Sequence, residues 1–298
     1  MHYDAIVIGG SYAGLAAATQ LARARRRVLV VDAGQRRNRF AEHSHGFLTQ
    51  DGTPAADIAA KGREQLMAYP TVQWRQGKVT AAERAGQGFR VEVDGLTSDA
   101  IDARRLVLAT GVIDHLPEVP GLAERWGRHV FHCPYCHGYE LNQGRIGVLG
   151  VSPFSMHVAL MLPDWGQATL FLNGAFEPDA DQLAQLQARG VALDRGLIAR
   201  IEGAMDIVMQ DGRVIPQDGL FTLTRVEVAS PIAQALGCEF EDGPLGRTIK
   251  TDAMKATTVP GVYACGDAAR QGGSLPLVVG DGTLAGAATH QSLIFANH

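Results

Sequence analysis

"YDAIVIGGSYAGLAAATQLARARRRVLVVDAG", residues 3–34, divides into three pieces of different periodicity. "YDAIVIGG" is a short continuous apolar run, as a buried strand requires. "AGLAAATQLARA" has helical composition and apolar spacing, and "RVLVVDAG" is a second buried run that ends in Asp32. Strand, tight turn, helix and strand make a βαβ unit. Its turn, "GGSYAG", puts Gly9, Ser11 and Gly14 at the three positions of a dinucleotide fingerprint. These positions need glycine for the tight turn, a small residue where backbone nears pyrophosphate, and glycine for helix packing. Ser11 departs from the usual middle glycine. Serine is nonetheless small, and its hydroxyl can bond phosphate beside a helix N-terminus with unpaired N–H groups and a positive dipole end. Asp32 follows about 20 residues on, where a carboxylate accepts from a ribose hydroxyl. The unit reads as a dinucleotide site.

Further apolar runs at "RLVLATG" (105–111), "RIGVLG" (145–150) and "ATLFLNG" (168–174) have the character of parallel-sheet strands. The last two flank a helix-like stretch, "SMHVALMLPDWG", so a second βαβ unit starts near residue 145. "FRVEVDG" (89–95) and "MDIVMQDGRVIP" (205–216) alternate as half-exposed antiparallel strands do, the second around an Asp-Gly hairpin turn. "VPGVYACGDAA" is a strand entering a Gly-Asp turn, with the helix-like "GTLAGAATHQSLIFA" after it. Pro117 and Pro120 mark a crossing out of the first domain, and Asp218 to Thr224 a return. The predicted fold class is therefore α/β, with two Rossmann-like domains, the second inserted in the first. The expected domains are 1–114 with 222–298, and 115–221 between them.

A chain of 298 residues, 46% hydrophobic and 19% charged, can bury more than one core. Its net charge of -4 provides no general attraction to nucleic acid or an anionic membrane. The local basic clusters, Arg23 to Arg27 and Arg36 to Arg39, read as solvated element ends, although a cofactor phosphate could recruit one arginine from the second. The N-terminus lacks the charged and apolar regions of a leader, and no apolar run reaches spanning length. The expectation is a soluble, cytoplasmic protein with no nucleic-acid or membrane partner. In a reducing compartment the four cysteines are not a structural framework, so a close pair is metal-binding or redox-active.

"LVLATG" (106–111) and "GVYACGD" (261–267) resemble the two remaining sequence marks of the two-dinucleotide flavoprotein family. That resemblance narrows the dinucleotide to FAD. It also implies FAD contacts at Thr110, Gly111, Gly266 and Asp267, the last bonding the ribityl or phosphate region. Cys265, inside the strand, reads as a small core residue.

"HCPYCHGYE" (132–140) holds the close pair, Cys133 and Cys136. A structural zinc site takes four ligands, often from two knuckles, and there is no second CxxC; His132 and His137, crowded into six residues, would strain a tetrahedral shell. CxxCH also matches c-type haem attachment, a chemistry of exported proteins. The redox reading is preferred over both, so no metal site is expected. At this point the chain is similar to the low-molecular-weight thioredoxin reductases over nearly its whole length. In that family an FAD domain is interrupted by a smaller domain beginning with CxxC. The resemblance implies that Cys136 faces the flavin while Cys133 exchanges with substrate, and that the protein is a homodimer. The reductases have aspartate after the second cysteine where this chain has His137. An imidazole can take a thiol proton near neutrality, so His137 is the first candidate general base and His132 the second, with Tyr139 and Glu140 placed to orient either. By position in the family, His45 in "EHSHGFLTQDG" (42–52) is a candidate flavin contact and second acid/base, and the same stretch reads equally as a capped, solvated loop. Cys238 reads as core.

The second fingerprint, "GVLGVSPFS" (147–155), has Ser152 and Ser155 at glycine positions with Pro153 and Phe154 between them. "NGAFEPD" (173–179) has no cation for a 2'-phosphate. NADPH is therefore doubtful. With CxxCH, this departure moves the resemblance toward the flavin dithiol oxidases of the gliotoxin and holomycin type. The expected function is passage of electrons from a dithiol through Cys133/Cys136 to FAD and then to oxygen. The expected substrate is a small dithiol or disulfide, or a thioredoxin-like protein. The alternatives are a thioredoxin-disulfide reductase driven by NADPH, by ferredoxin or by another flavoprotein, and a non-enzymatic flavin-bound redox sensor.

Overall fold

The computed structural model describes residues 2–95 and 100–295. By packing, the chain divides into two units. Residues 1–39, 47–113 and 226–298 form the first, and residues 40–46 and 114–225 the second. The sequence assigns 40–46 to the first domain; by packing, this short segment groups with the second.

In the first unit, β1 (His2–Ile8) lies between β2 (Val28–Asp32) and the strand Ile101–Leu108, parallel to both. Val72–Gln76 adds a further parallel strand beside β2. Ile101–Leu108 changes partner along its length. Ile101 to Ala103 pair antiparallel with Val91 to Phe89, and Leu106 to Leu108 pair parallel with Val262 to Ala264. Both faces of this sheet are buried, which accounts for apolar runs without polar alternation. Ile6, Ile8, Leu29, Val31, Leu106 and Leu108 turn to one core, and Ala5, Val7, Val28, Val30 and Val107 to the other.

Helix α1 (Tyr12–Arg23) covers the second of these cores with Ala17, Ala18 and Leu21. The C-terminal helix, Leu275–Phe295, crosses it at close range; Ala296, which the sequence adds to this helix, lies outside the described residues. Close approach needs glycine at the crossing. A Cβ on Gly282 would come 2.8 Å from the Ala13 carbonyl carbon, and one on Gly286 would come 2.8 Å from the Ala17 Cα. The crossing therefore holds the first turn of α1, where the fingerprint ends.

The second unit is built on a five-stranded parallel sheet in the order Val130–Phe131, Gly219–Thr222, Arg145–Leu149, Gln167–Phe171 and Ala192–Asp194. Phe131 and Phe221 sit side by side in register. The Asp-Gly hairpin forms within an antiparallel three-stranded sheet, Ile198–Glu202, Asp206–Met209 and Val214–Pro216. Among the described residues, no helix is long and apolar enough to cross a membrane.

Gly282→Leu would force the two helices apart. It is expected to lower the unfolding free energy by roughly 1–3 kcal/mol, the usual cost of overpacking, read from the shift of a urea unfolding midpoint at unchanged slope.

Candidate active site

The parallel register brings three separate sequence marks to one edge of the first unit's sheet. Gly9 N–H donates to Val31 (2.8 Å), Ala109 N–H to Ile8 (2.8 Å) and Cys265 N–H to Leu108 (3.0 Å), so the strand ends advance together. Gly9 adopts φ +104°, and a Cβ there would run into the Ala109 carbonyl, so the backbone geometry itself demands glycine. Gly14 packs as tightly on the Gly9 carbonyl. Asp32 Oδ1 accepts from the Gly10 N–H at 3.0 Å, which pins the turn and leaves its second oxygen for a ribose hydroxyl. Ser11 is the N-cap of α1 in extended backbone, and its side chain makes no capping bond. Its hydroxyl and the first-turn N–H groups are thus available to an anion, and no acidic residue stands in that turn.

Thr110 Oγ1 is buried with no hydrogen-bond partner. A buried orphan hydroxyl is costly unless a ligand satisfies it. Gly111 and Gly266 both take positive φ, +67° and +69°. These residues fit a dinucleotide: α1 and Ser11 would hold phosphate, Asp32 a ribose, and Thr110 and Gly266 would lie beside it at the strand ends. Asp267 pairs with Arg37 Nη1 at 3.2 Å, both about one-fifth exposed. Arg37 thus departs from the solvated role read for its cluster. Trp74 was not legible as a site residue. Its ring lies against Gly10, where a Cβ would strike it, and the Arg63 guanidinium lies over the ring, 4.3 Å from its centroid.

In the second unit, Cys133 and Cys136 form a disulfide with Cα atoms 5.3 Å apart. One helical turn sets that spacing. Cys133 is its N-cap in extended backbone, Pro134 fills the first position where no N–H is missed, and Gly138 N–H closes the turn on the Pro134 carbonyl at 2.7 Å. A Cβ on Gly138 would crowd both that carbonyl and the Trp165 ring. Tyr135, between the cysteines, is 73% exposed and meets Trp165 edge-on at 5.3 Å.

His137 leaves the turn on the inner side. Its ring stacks on buried Phe131 at 4.5 Å and 22°, and Phe131 in turn packs against Phe221. Burial first, then the nearby charges of His132 and His45, push the His137 imidazole down to about 4. His132 lies against Trp126, ring centroids 5.9 Å apart. His45 stands edge-on to His137 at 6.3 Å, with its Nδ1 3.3 Å from Glu140 Oε1. His43 is 6.5 Å from His45. The histidine-dense loop and the CxxC turn are 90 residues apart in sequence, and the structure joins them in one cluster. Periodicity carries no signal for that contact.

The remaining thiols lie elsewhere. Cys265 is fully buried and pushed up to about 12 by burial, and Cys238, raised for the same reason, contacts Thr257 Oγ1 at 3.6 Å. Neither is a nucleophile at neutral pH.

In the second nucleotide-type loop the serines bond the loop itself. Ser155 Oγ accepts from Val151 N–H (3.1 Å) and Ser152 Oγ from Phe154 N–H (3.3 Å). Beyond the next strand, Arg195 is paired with Glu177 at 2.8 Å, and Arg213 with Asp194 and Asp211.

Residues 3–290 match the family model described as pyridine nucleotide-disulphide oxidoreductase. The chain is similar to a thioredoxin reductase, tcpT, of Claviceps purpurea, with 30% identity over 95% of this chain and 92% of the relative. Among solved structures it is similar to an oxidoreductase from Agrobacterium tumefaciens, with 56% identity, a TM-score of 0.96 and 99% of each chain covered. It is also similar to HlmI, with 36% identity, a TM-score of 0.90, and 98% and 93% of the two chains covered. The glycine-built dinucleotide cradle and the disulfide of CxxC are thus the two halves of one known chemistry: the chain belongs to the pyridine nucleotide-disulphide oxidoreductases, as a thioredoxin reductase-like flavoprotein enzyme.

Proposed function

We propose that the protein is a dithiol oxidase, passing two electrons from a small dithiol to the Cys133–Cys136 disulfide and onward to FAD and oxygen. The observation that carries the choice of oxidase is the second nucleotide-type loop. Its hydroxyls engage the loop's own N–H groups, which a pyrophosphate would otherwise use. Arg195 and Arg213, which follow, are bound to carboxylates, so neither is left free for a 2'-phosphate. The similarity to HlmI and the CxxCH sequence point the same way.

The chemistry follows from the turn. A ring nitrogen of His137 takes the proton of one substrate thiol, and the resulting thiolate attacks Cys133 Sγ. The Cys133–Cys136 bond breaks, Cys136 leaves as thiolate, and a mixed disulfide joins substrate to Cys133. The second substrate thiol then gives up its proton and attacks the substrate sulfur of that mixed disulfide. Cys133 is expelled and takes up one proton. The substrate leaves as a disulfide, oxidised by two electrons, while the enzyme pair is reduced by two and one net proton is released. When bound, FAD supplies the two-electron acceptor that oxygen regenerates. Tyr135, between the two cysteines, and Trp165 packed edge-on against it offer aromatic surface that suits an apolar dithiol.

Anaerobic rapid mixing of the purified holoenzyme tests the assignment. A small dithiol should bleach the flavin absorbance, and admission of air should restore it, whereas NADPH should leave it nearly unchanged. Rapid bleaching by NADPH with no response to dithiols would instead establish a reductase, the activity named for tcpT.

His137 makes its own prediction. Because its imidazole sits near 4 in place of the usual 6.5, it stays neutral and able to accept a proton throughout the neutral range. Capacity is lost only as pH falls through about 4, so the rate of dithiol-driven reduction should be flat between about pH 5 and 8. His137→Asn should lower that rate about a hundredfold or more. The residual rate should then climb about tenfold per pH unit, following the thiolate fraction of the substrate. A parallel profile in the two proteins would remove His137 from the role of base.

A further inference from the structure

We infer that His45 and Glu140 form the outlet through which the proton captured at His137 leaves the redox turn. This deepens the proposed function and rests on His137 acting as the base there.

Three observations carry it. His45 stands edge-on to His137 with ring centroids 6.3 Å apart, a spacing that direct ring-edge contact or one bridging water spans. Its Nδ1 lies 3.3 Å from Glu140 Oε1, which orients the ring and turns the other nitrogen away from the carboxylate. The Glu140 side chain is 41% exposed whereas that of His45 is 20% exposed, so the order His137, His45, Glu140 runs from inside to solvent. The segment 40–46 packs with the CxxC unit even though flanking residues on both sides belong to the other, so the fold brings His45 to this turn.

Electrostatics give the pair its direction. Two imidazolium charges at this separation repel, so the histidines together favour a single proton. His137 is half-buried and faces His132 and His45; burial first, then those two charges, oppose an imidazolium there. His45 has the Glu140 carboxylate beside it and the His43 ring centroid 6.5 Å from its own. A proton arriving at His137 is therefore passed outward. The balance is that of the exchange step: one net proton per dithiol oxidised appears in solvent, and no further oxidant or reductant is needed. Glu140 acts through His45 and is a positioning residue.

The test follows the disulfide itself. Oxidised holoenzyme, Glu140→Gln, Glu140→Asp and His45→Ala would be mixed anaerobically with dithiothreitol and quenched with an alkylating agent, and the free thiols of Cys133 and Cys136 counted by mass against time, alongside flavin absorbance. Glu140→Gln and His45→Ala should slow disulfide reduction about tenfold to a hundredfold, up to the lower end of what a positioned acid or base contributes. Glu140→Asp should recover most of the rate, and added imidazole buffer should rescue His45→Ala in proportion to its concentration while leaving the wild type unaffected. Full rates in Glu140→Gln and His45→Ala, or a slow His45→Ala that ignores imidazole, would overturn the outlet. Thiols that appear at the wild-type rate while the flavin stays oxidised would instead overturn the dithiol oxidase reading, and the comparison of variants would still decide the outlet. A disulfide that dithiothreitol leaves intact would overturn both.

Discussion

The first unit depends on a stair of three backbone hydrogen bonds, from Gly9 to Val31, Ala109 to Ile8 and Cys265 to Leu108. Parallel strands in step deliver their C-terminal ends to the same edge, and that edge is where a doubly wound sheet can receive a ligand. The stair exists only if Gly9 turns with positive φ, with no side chain between it and the Ala109 carbonyl. From it follow the position of α1, the pinning of the glycine turn by Asp32, and the arrival of Thr110 and Gly266 beside the fingerprint. The orphan hydroxyl of Thr110 belongs to the same logic: a buried polar atom left without a protein partner marks where a ligand atom completes the structure.

The second unit solves a different problem. A disulfide that must open and close needs its sulfurs held within bonding range in the oxidised state and a proton acceptor at hand when it is reduced. One helical turn meets the first requirement, through Pro134 at its start and Gly138 at its close. In the proposed mechanism His137, stacked on Phe131, would meet the second. The same burial that keeps the imidazole neutral makes it a poor place for a proton to remain, and the outlet inferred for His45 and Glu140 would carry that proton onward.

Much of the frame was legible in the chain. Uninterrupted apolar runs signalled strands buried on both faces, and the cores on either side of β1 account for them. Gly9 and Gly14 were readable because only glycine tolerates their backbone contacts. The thiol pair was readable because a close pair in a reducing compartment is metal-binding or redox-active, and no second CxxC completes a zinc site. Arg37 was not: its cluster read as a solvated element end, and its pairing with Asp267 arises between residues 230 positions apart. Trp74 lacked any local mark, since its contact with Gly10 depends on the neighbouring parallel strand. The loop of residues 40–46 groups by packing with the second unit, which chain continuity does not reveal because it argues for the domain on either side.

Backbone-dictated features, meaning glycines at forced dihedrals, buried strand runs, the one-turn CxxC and the serines in the second loop, were determined by the sequence alone, because each is a local steric or hydrogen-bonding requirement that reads along the chain. Which histidine meets which carboxylate, how far burial lowers an imidazole, and which arginine answers Asp267 were decided only by the tertiary structure. Those are Coulomb and desolvation energies, and they depend on distance through space and on surrounding dielectric, neither of which is ordered along the sequence.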